Sequence, residues 1–252
     1  MKARVESKTL KSLKDFRELP QATDKIINFY DKLNIKGNKL PKNWNKHHIM
    51  HNSMILAIGG TGTGKTNALL NYINRSSGEF HKIIVFSAST TDEPLYNLLE
   101  ENGVTLYNDI DELPELSEFE DDKDEKKLIV FDDFINIDKK KLKKINRYLI
   151  SGRKFGFSVF LMAQNYSSIE KQIVRQIQYF IIFKINDNIS LNNIIRNHNI
   201  ADVDSSIIKS ACNLCTNTPP NFFMIDLKTI DLKKRFRMNF LQFLDLEKLT
   251  IQ

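Results

Sequence analysis

The feature that most constrains the fold is a phosphate-binding loop in the first third of the chain. Residues 59–66 match the pattern G-x-x-x-x-G-K-[ST] in full. The apolar run of residues 54–58 precedes the loop and predicts a buried strand, and residues 67–73 follow it with a pattern typical of a helix. A glycine-rich turn that arose by chance would not be expected to lie between a strand and a helix in this way. The chain is therefore predicted to be an α/β protein that binds a nucleotide.

Each residue type in the loop has a physical task. Glycines let consecutive backbone N–H groups turn inward around a phosphate, and the start of the helix adds unpaired N–H groups and a positive dipole. Lys65 is predicted to reach the β- and γ-phosphates of ATP, and the Thr66 hydroxyl is predicted to hold Mg²⁺. The predicted nucleotide-binding residues are Gly59, Gly60, Thr61, Gly62, Thr63, Gly64, Lys65 and Thr66.

A pair of carboxylates follows a second apolar run. Residues 128–131 predict a central strand, and Asp132 and Asp133 come at its carboxyl end, the edge where open α/β sheets bind ligands. Asp132 is predicted to hold Mg²⁺, which takes one or two carboxylates and keeps several waters. Asp133 is predicted to act as the general base that orients the attacking water. An ordinary Asp-Asp turn is the less favoured alternative.

A third polar residue ends a further predicted strand. Residues 157–163 are predominantly apolar, and Gln164 follows them. A side-chain amide can donate to a phosphate and accept from an attacking water, so Gln164 is a candidate sensor of the γ-phosphate.

Composition divides the chain into three predicted parts. Residues 1–45 predict a basic helical N-terminal arm, residues 46–226 the nucleotide-binding domain, and residues 227–252 a basic amphipathic tail. Within the domain, residues 109–125 hold ten acidic residues and one lysine, and this composition predicts a solvated connector and leaves its degree of order open. Residues 222–226 predict an edge strand.

Charge and cysteine content limit the partners and the compartment. The total charge is +6 and the connector contributes −9, so the rest of the chain carries +15 (+6 minus −9). A basic body suits a polyanion such as DNA, and a solvated lysine-rich surface explains it equally well. The basic helix predicted at residues 138–149 is one place for such binding. Cys212 and Cys215 predict two thiols on a helix in a reducing compartment, with a metal or redox site as the less favoured alternative.

The sequence has no stretch of membrane-span length and no signal peptide, so a soluble intracellular protein with no membrane partner is expected.

These motifs together resemble a known family. The chain is similar to the genome-packaging ATPases of large double-stranded DNA viruses and virophages, such as the poxvirus packaging ATPase, in the branch of phosphate-loop motors that contains FtsK and HerA. The matching pieces are residues 59–66, residues 129–133 and residues 151–164, which read SGRKFGFSVFLMAQ. The resemblance covers about residues 50 to 226.

The resemblance implies a homo-oligomeric ring, pentameric or hexameric, with ATP sites between subunits. It implies a sensor role for Gln164 and an arginine supplied to the neighbouring subunit's γ-phosphate, for which Arg153 is the first candidate and Arg175 the second. It further implies capsid proteins as partners and the host-cell cytoplasm, or the virion, as the location. Many relatives carry Glu where this chain has Asp133, a departure that bears on the identity of the base.

We therefore expect a mainly parallel sheet with helices on both faces, of the class in which the strand ending at Gln164 is inserted between the loop strand and the Asp132 strand. The expected function is ATP hydrolysis coupled to translocation of double-stranded DNA, independent of its sequence, into a preformed capsid. A helicase or a conjugation or chromosome translocase of the same fold is the alternative. A nucleotide kinase is less favoured, because no lid with paired arginines follows the loop.

Overall fold

The computed structural model describes residues 39–87, 94–132, 139–185, 188–198, 200 and 203–246, and the structural statements below concern these residues. The chain divides into two compact units, Met1–Lys39 and Leu40–Gln252, and all the described helices and strands belong to the second. The predicted N-terminal arm, residues 1–45, lies largely outside the described residues, so its helices stay a prediction.

The elements follow the alternation that the apolar runs predict. The strands are β1 (Met54–Ile58), β2 (Lys82–Ser87), β3 (Thr105–Tyr107), β4 (Lys127–Asp132), β5 (Phe157–Ala163), β6 (Tyr179–Ile182), β7 (Phe223–Asp226), β8 (Phe236–Met238) and β9 (Gln242–Phe243). The α-helices are α1 (Trp44–His47), α2 (Lys65–Arg75), α3 (Pro94–Glu101), α4 (Lys139–Ser151), α5 (Lys171–Val174), α6 (Asn188–Asn197), α7 (Ser205–Thr216) and α8 (Leu232–Arg235). Short 3₁₀ helices cover Leu116–Phe119, Gly152–Phe155 and Tyr166–Ser168.

The strands described form one sheet in the order β3-β2-β4-β5-β1-β6-β7-β8-β9. The strands from β3 to β6 in this order run parallel, and β7, β8 and β9 are added antiparallel to their neighbours. β5 lies between β1 and β4, so the inserted strand and the mainly parallel α/β class are both confirmed.

The central strands β1, β5 and β6 are buried on both faces, as their uninterrupted apolar sequences require. Along β1, Leu56 belongs to one apolar cluster and its neighbour Ile55 to another, because successive side chains point to opposite faces. Ile145 of α4 packs in the first cluster, and Leu69 of α2 and Leu99 of α3 pack in the second. Helices therefore cover both faces, as predicted.

The acidic connector, residues 109–125, has a buried apolar side that the prediction of a solvated segment did not include. Its apolar residues Ile110, Leu113, Leu116 and Phe119 are all buried in the core cluster. They recur every third residue, so a chain of turns and one 3₁₀ helix can bring them to the same side while most of the acidic side chains face solvent. The buried side was missed because the charge count obscured this apolar spacing.

The connector also contacts the basic helix α4. Lys144 Nζ lies 3.2 Å from the Asp111 carbonyl oxygen, and Arg147 Nη1 lies 2.8 Å from Glu115 Oε2. Arg147 and Glu115 are both largely exposed, so this pair contributes little to stability. Part of the positive charge that α4 offers to a polyanion is nevertheless neutralised within the chain.

The C-terminal region extends the sheet, and this corrects one expectation. The strand predicted as an edge, residues 222–226, is covered because β8 pairs with β7. The predicted basic tail, residues 227–252, contributes Arg237, whose side chain is only 1% exposed and forms a salt bridge with Asp226. Its guanidinium also donates to the carbonyl oxygens of His47 and Phe240. A basic run suggests a solvated surface, and only the tertiary fold supplies the buried carboxylate.

Replacement of Arg237 by alanine is expected to lower the free energy of unfolding by about 3–5 kcal/mol, because Asp226 would stay buried without its cation. Lys233→Ala is the control, since Lys233 is exposed on the neighbouring helix α8, and we expect a change within about 0.5 kcal/mol. Urea unfolding measures the change in the free energy of unfolding for both variants. Equal midpoints for the two variants would show that the buried pair does not stabilise the C-terminal strands.

Candidate active site

The phosphate loop leaves the carboxyl end of β1 and leads directly into α2. Gly62 and Gly64 have φ angles of 74° and 108°, a left-handed region that strains residues with a side chain. Gly64 is also the residue that precedes the first turn of α2. The glycines therefore give the loop a backbone path that ends with unpaired N–H groups of the helix facing the loop.

The loop is supported from behind by residues of the next strands. A Cβ atom on Gly59 would lie 2.7 Å from Phe183 Cβ, and one on Gly64 would lie 3.0 Å from Pro220 Cβ. Phe183 follows β6 and is fully buried, and Pro220 lies just before β7. Close packing thus leaves little room for a side chain at either glycine.

Lys65 lies across the loop. Its Nζ donates to the Gly59 and Gly60 carbonyl oxygens at 2.8 and 2.9 Å. These bonds hold the ammonium group against the loop, at the side where phosphate oxygens would be bound.

Asp132 is the last residue of β4. In the parallel register it lies opposite Ser87 of β2 and Met162 of β5. The Tyr96 hydroxyl of α3 donates a hydrogen bond to Asp132 Oδ2. Asp133, the predicted general base, lies outside the described residues.

The loop, β4 and β5 together form one pocket of about 270 Å³. Lys65, Thr66, Asp132 and Gln164 all line it. Gln164 is exposed at the end of β5, between the loop and Asp132. The structure thus brings together residues that are about a hundred positions apart in the sequence.

Both candidate arginines lie elsewhere. Arg153 and Arg175 line a second cleft, of about 240 Å³, together with Asn52 and Gln178. This cleft lies at the amino ends of β1, β5 and β6, and the seven residues of β5 separate it from Gln164. At about 3.3 Å per residue this is roughly 20 Å. Arg153 and Arg175 therefore do not line the pocket of their own subunit.

The two cysteines lie in α7. Burial raises the pKa of Cys212 to about 12 and that of Cys215 to about 11. Both side chains are therefore protonated thiols at neutral pH, a state that suits a structural role.

Three residues that contact the site were not identified from the sequence. Phe183 and Pro220 support the loop, and Tyr96 contacts Asp132. Their positions depend on pairing between distant strands. No motif in the sequence pointed to any of the three.

A phosphate loop after β1, a carboxylate at the end of β4 and a strand inserted between the two define a phosphate-loop ATPase of the additional-strand class. The chain belongs to the Poxvirus A32 protein family, which residues 42–225 match. A comparison with curated protein sequences gave no match.

Solved structures share the fold. The chain is similar to B204, the DNA-packaging ATPase from Sulfolobus turreted icosahedral virus, with a TM-score of 0.52, 13% sequence identity, and coverage of 75% of this chain and 97% of that chain. B204 from Sulfolobus turreted icosahedral virus 2 in complex with ATP-gammaS gives a TM-score of 0.50 at 13% identity, over 75% and 98% of the two chains. The pCW3 conjugation coupling protein TcpA gives 0.50 at 14% identity, over 79% and 62%. At these identities the likeness shows the fold alone.

None of the helices in the described parts of the chain is long and apolar enough to cross a membrane.

Replacement of Gly59 by alanine is expected to lower the free energy of unfolding by about 1–3 kcal/mol, because the added methyl group would overlap Phe183. Gly60→Ala is the matched control: the nearest atom to its Cβ would be 3.8 Å away, and no unfavourable φ angle applies. Thermal unfolding of the nucleotide-free protein compares the two. Similar melting temperatures would contradict the packing of Phe183 against the loop.

Proposed function

We propose that this chain is an ATP-driven motor that moves double-stranded viral DNA into a preformed capsid. The observation that carries the proposal is the pocket in which Lys65, Asp132 and Gln164 meet, in a member of the Poxvirus A32 protein family. B204, whose fold this chain shares, is a DNA-packaging ATPase.

ATP binds, in this proposal, with its phosphates in the loop of residues 59–66. The backbone N–H groups of the loop and of the first turn of α2 donate to phosphate oxygens. Lys65 places its charge at the β- and γ-phosphates, where negative charge is greatest. The carbonyl contacts of Lys65 already hold its side chain over the loop, which limits the conformational entropy lost on binding.

The donor set of the pocket fits Mg²⁺. Thr66 and Asp132 line the same pocket, and a hydroxyl and a carboxylate are the hard oxygen ligands that this ion prefers. When bound, Mg²⁺ neutralises charge on the phosphate oxygens. Thr66 and Asp132 would hold it, and Asp132 is kept in place by its hydrogen bond from Tyr96.

Hydrolysis requires a water aligned with the γ-phosphate. Asp133 follows Asp132 directly and is our proposed general base, on the basis of the sequence. Gln164 lines the pocket at the end of the neighbouring strand, where its amide can contact both the γ-phosphate and that water.

The second cleft supports assembly into a ring. No acidic side chain is among the described residues that line it, so Arg153 and Arg175 face it without a carboxylate on its walls. An arginine there is too far from its own subunit's pocket, yet it is available to the triphosphate of a neighbouring subunit. Its planar, always-charged guanidinium suits several phosphate oxygens at once. We propose a pentameric or hexameric ring in which Arg153, or Arg175 beside it, completes the next site.

The partners that follow are double-stranded DNA and capsid proteins. Contacts to DNA would be to phosphates and hence independent of base sequence. We place this activity in the host-cell cytoplasm during assembly, and in the virion if the motor stays with the capsid.

Long duplex DNA is expected to raise the rate of ATP hydrolysis, with a stimulation that weakens steeply as salt rises. Lys65→Ala should lower turnover at least about a hundredfold, because it removes the charge that faces the phosphates. Lys42→Ala is the control, since Lys42 is exposed and does not line the pocket. Phosphate release with and without DNA measures all three proteins.

Wild-type turnover in Lys65→Ala would contradict the site. Stimulation by a nucleoside acceptor in place of DNA would favour a kinase. ATP-dependent separation of the strands of a forked duplex would favour a helicase.

Mixtures of two inactive variants test the contribution of a neighbour. Lys65→Ala subunits keep Arg153, and Arg153→Ala subunits keep Lys65, so an equimolar mixture should contain complete sites at about a quarter of the interfaces of a head-to-tail ring. Partial recovery of ATP hydrolysis on mixing is the expected result. Lys154→Ala, at the adjacent exposed cation, should be active without mixing.

Recovery only with Arg175→Ala in place of Arg153→Ala would move the role to Arg175. Failure of both mixtures would contradict a shared active site.

A further inference from the structure

Tyr96 connects a helix to the proposed metal ligand. Its side chain is only 1% exposed, and it packs in the apolar cluster that also contains α2 and one face of β4. The hydroxyl emerges from this cluster to donate to Asp132 Oδ2. The preceding residue, Leu95, lines the nucleotide pocket.

A second tyrosine on the same face provides a comparison. Tyr72 of α2 is fully buried in the same cluster, yet its hydroxyl has no hydrogen-bond partner among the described residues. Both rings fill the core, and the difference is that the hydroxyl of Tyr96 has a hydrogen-bond acceptor whereas that of Tyr72 has none among the described residues. Packing in the core accounts for the ring of Tyr96. It does not account for the hydroxyl, which donates to a carboxylate that lines the pocket.

We propose that Tyr96 is a positioning residue for metal binding, an inference that rests on the proposed function. A carboxylate at a strand end can rotate about its Cβ–Cγ bond, and only some orientations direct an oxygen toward the Thr66 side of the pocket. The hydrogen bond to Oδ2 restricts that rotation. Groups that orient a metal ligand in this way typically change metal affinity by about 10–100-fold when removed.

The same bond ties α3 to the active site. Because the ring of Tyr96 is almost fully buried in the apolar cluster, its hydroxyl has little freedom to move relative to Asp132. Asp132 is thereby oriented before nucleotide arrives, and the entropy of ordering it is not lost on binding.

Tyr96→Phe keeps the ring and removes only the hydroxyl, and Tyr72→Phe makes the identical chemical change where the hydroxyl has no partner. The probe is the methylanthraniloyl derivative of a non-hydrolysable ATP analogue, titrated in EDTA and at increasing Mg²⁺ concentrations. We expect Tyr96→Phe to need roughly 10–100-fold more Mg²⁺ than wild type to reach tight binding, with its affinity in EDTA unchanged. Tyr72→Phe should follow wild type throughout.

The controls separate positioning from stability. In an Asp132→Asn background, addition of Tyr96→Phe should cause no further rise in the Mg²⁺ concentration needed for tight binding, since the two residues act through one ligand. A lower melting temperature of Tyr96→Phe with an unchanged Mg²⁺ requirement would overturn the inference and leave Tyr96 a packing residue. Failure of the wild type to bind the probe at all would instead overturn the proposed function, and the role of Tyr96 with it.

Discussion

The parallel pairing of β5 with both β1 and β4 is the constraint on which the site depends. Parallel strands end at the same edge of a sheet. The pairing alone therefore brings the loop after β1, Asp132 at the end of β4 and Gln164 after β5 close together. The insertion of β5 sets the spacing, because it places one strand width between the phosphate loop and the carboxylate. Removal of that strand would bring β1 beside β4 and leave no position for Gln164.

Support for the loop comes from the other half of the sheet. Phe183 and Pro220 pack against Gly59 and Gly64, so the strands β6 and β7 contribute to a site whose polar residues they do not carry. β7 is in turn covered by β8, and Arg237 joins β8 to Asp226 of β7. The C-terminal region thus affects the phosphate loop through packing.

Much of this could be predicted from the sequence because its signals are local. A loop motif between an apolar strand and a helix, and polar residues at the ends of apolar runs, predict the strands and the content of the pocket. The resemblance to the packaging ATPases adds the position of β5 between β1 and β4. The burial of Arg237 and the contact of Tyr96 with Asp132 could not be predicted, because each depends on a partner that only the tertiary fold brings near. The buried side of the acidic connector was missed for another reason: ten acidic residues outweighed four apolar residues in its composition, whereas the four apolar residues determine where it packs.

β5 has a further consequence if Gln164 and Arg153 act as proposed. One end of this strand would sense the state of its own nucleotide, and the residues before its other end would complete the site of the adjacent protomer. All seven residues of β5 are buried, and residues 159–162 pair with both neighbouring strands, so the strand can serve as a rigid connection across the protomer. A displacement of this one strand could then transmit the nucleotide state from one subunit to the next, so that successive subunits hydrolyse ATP in order. Such a ring would need no separate moving domain.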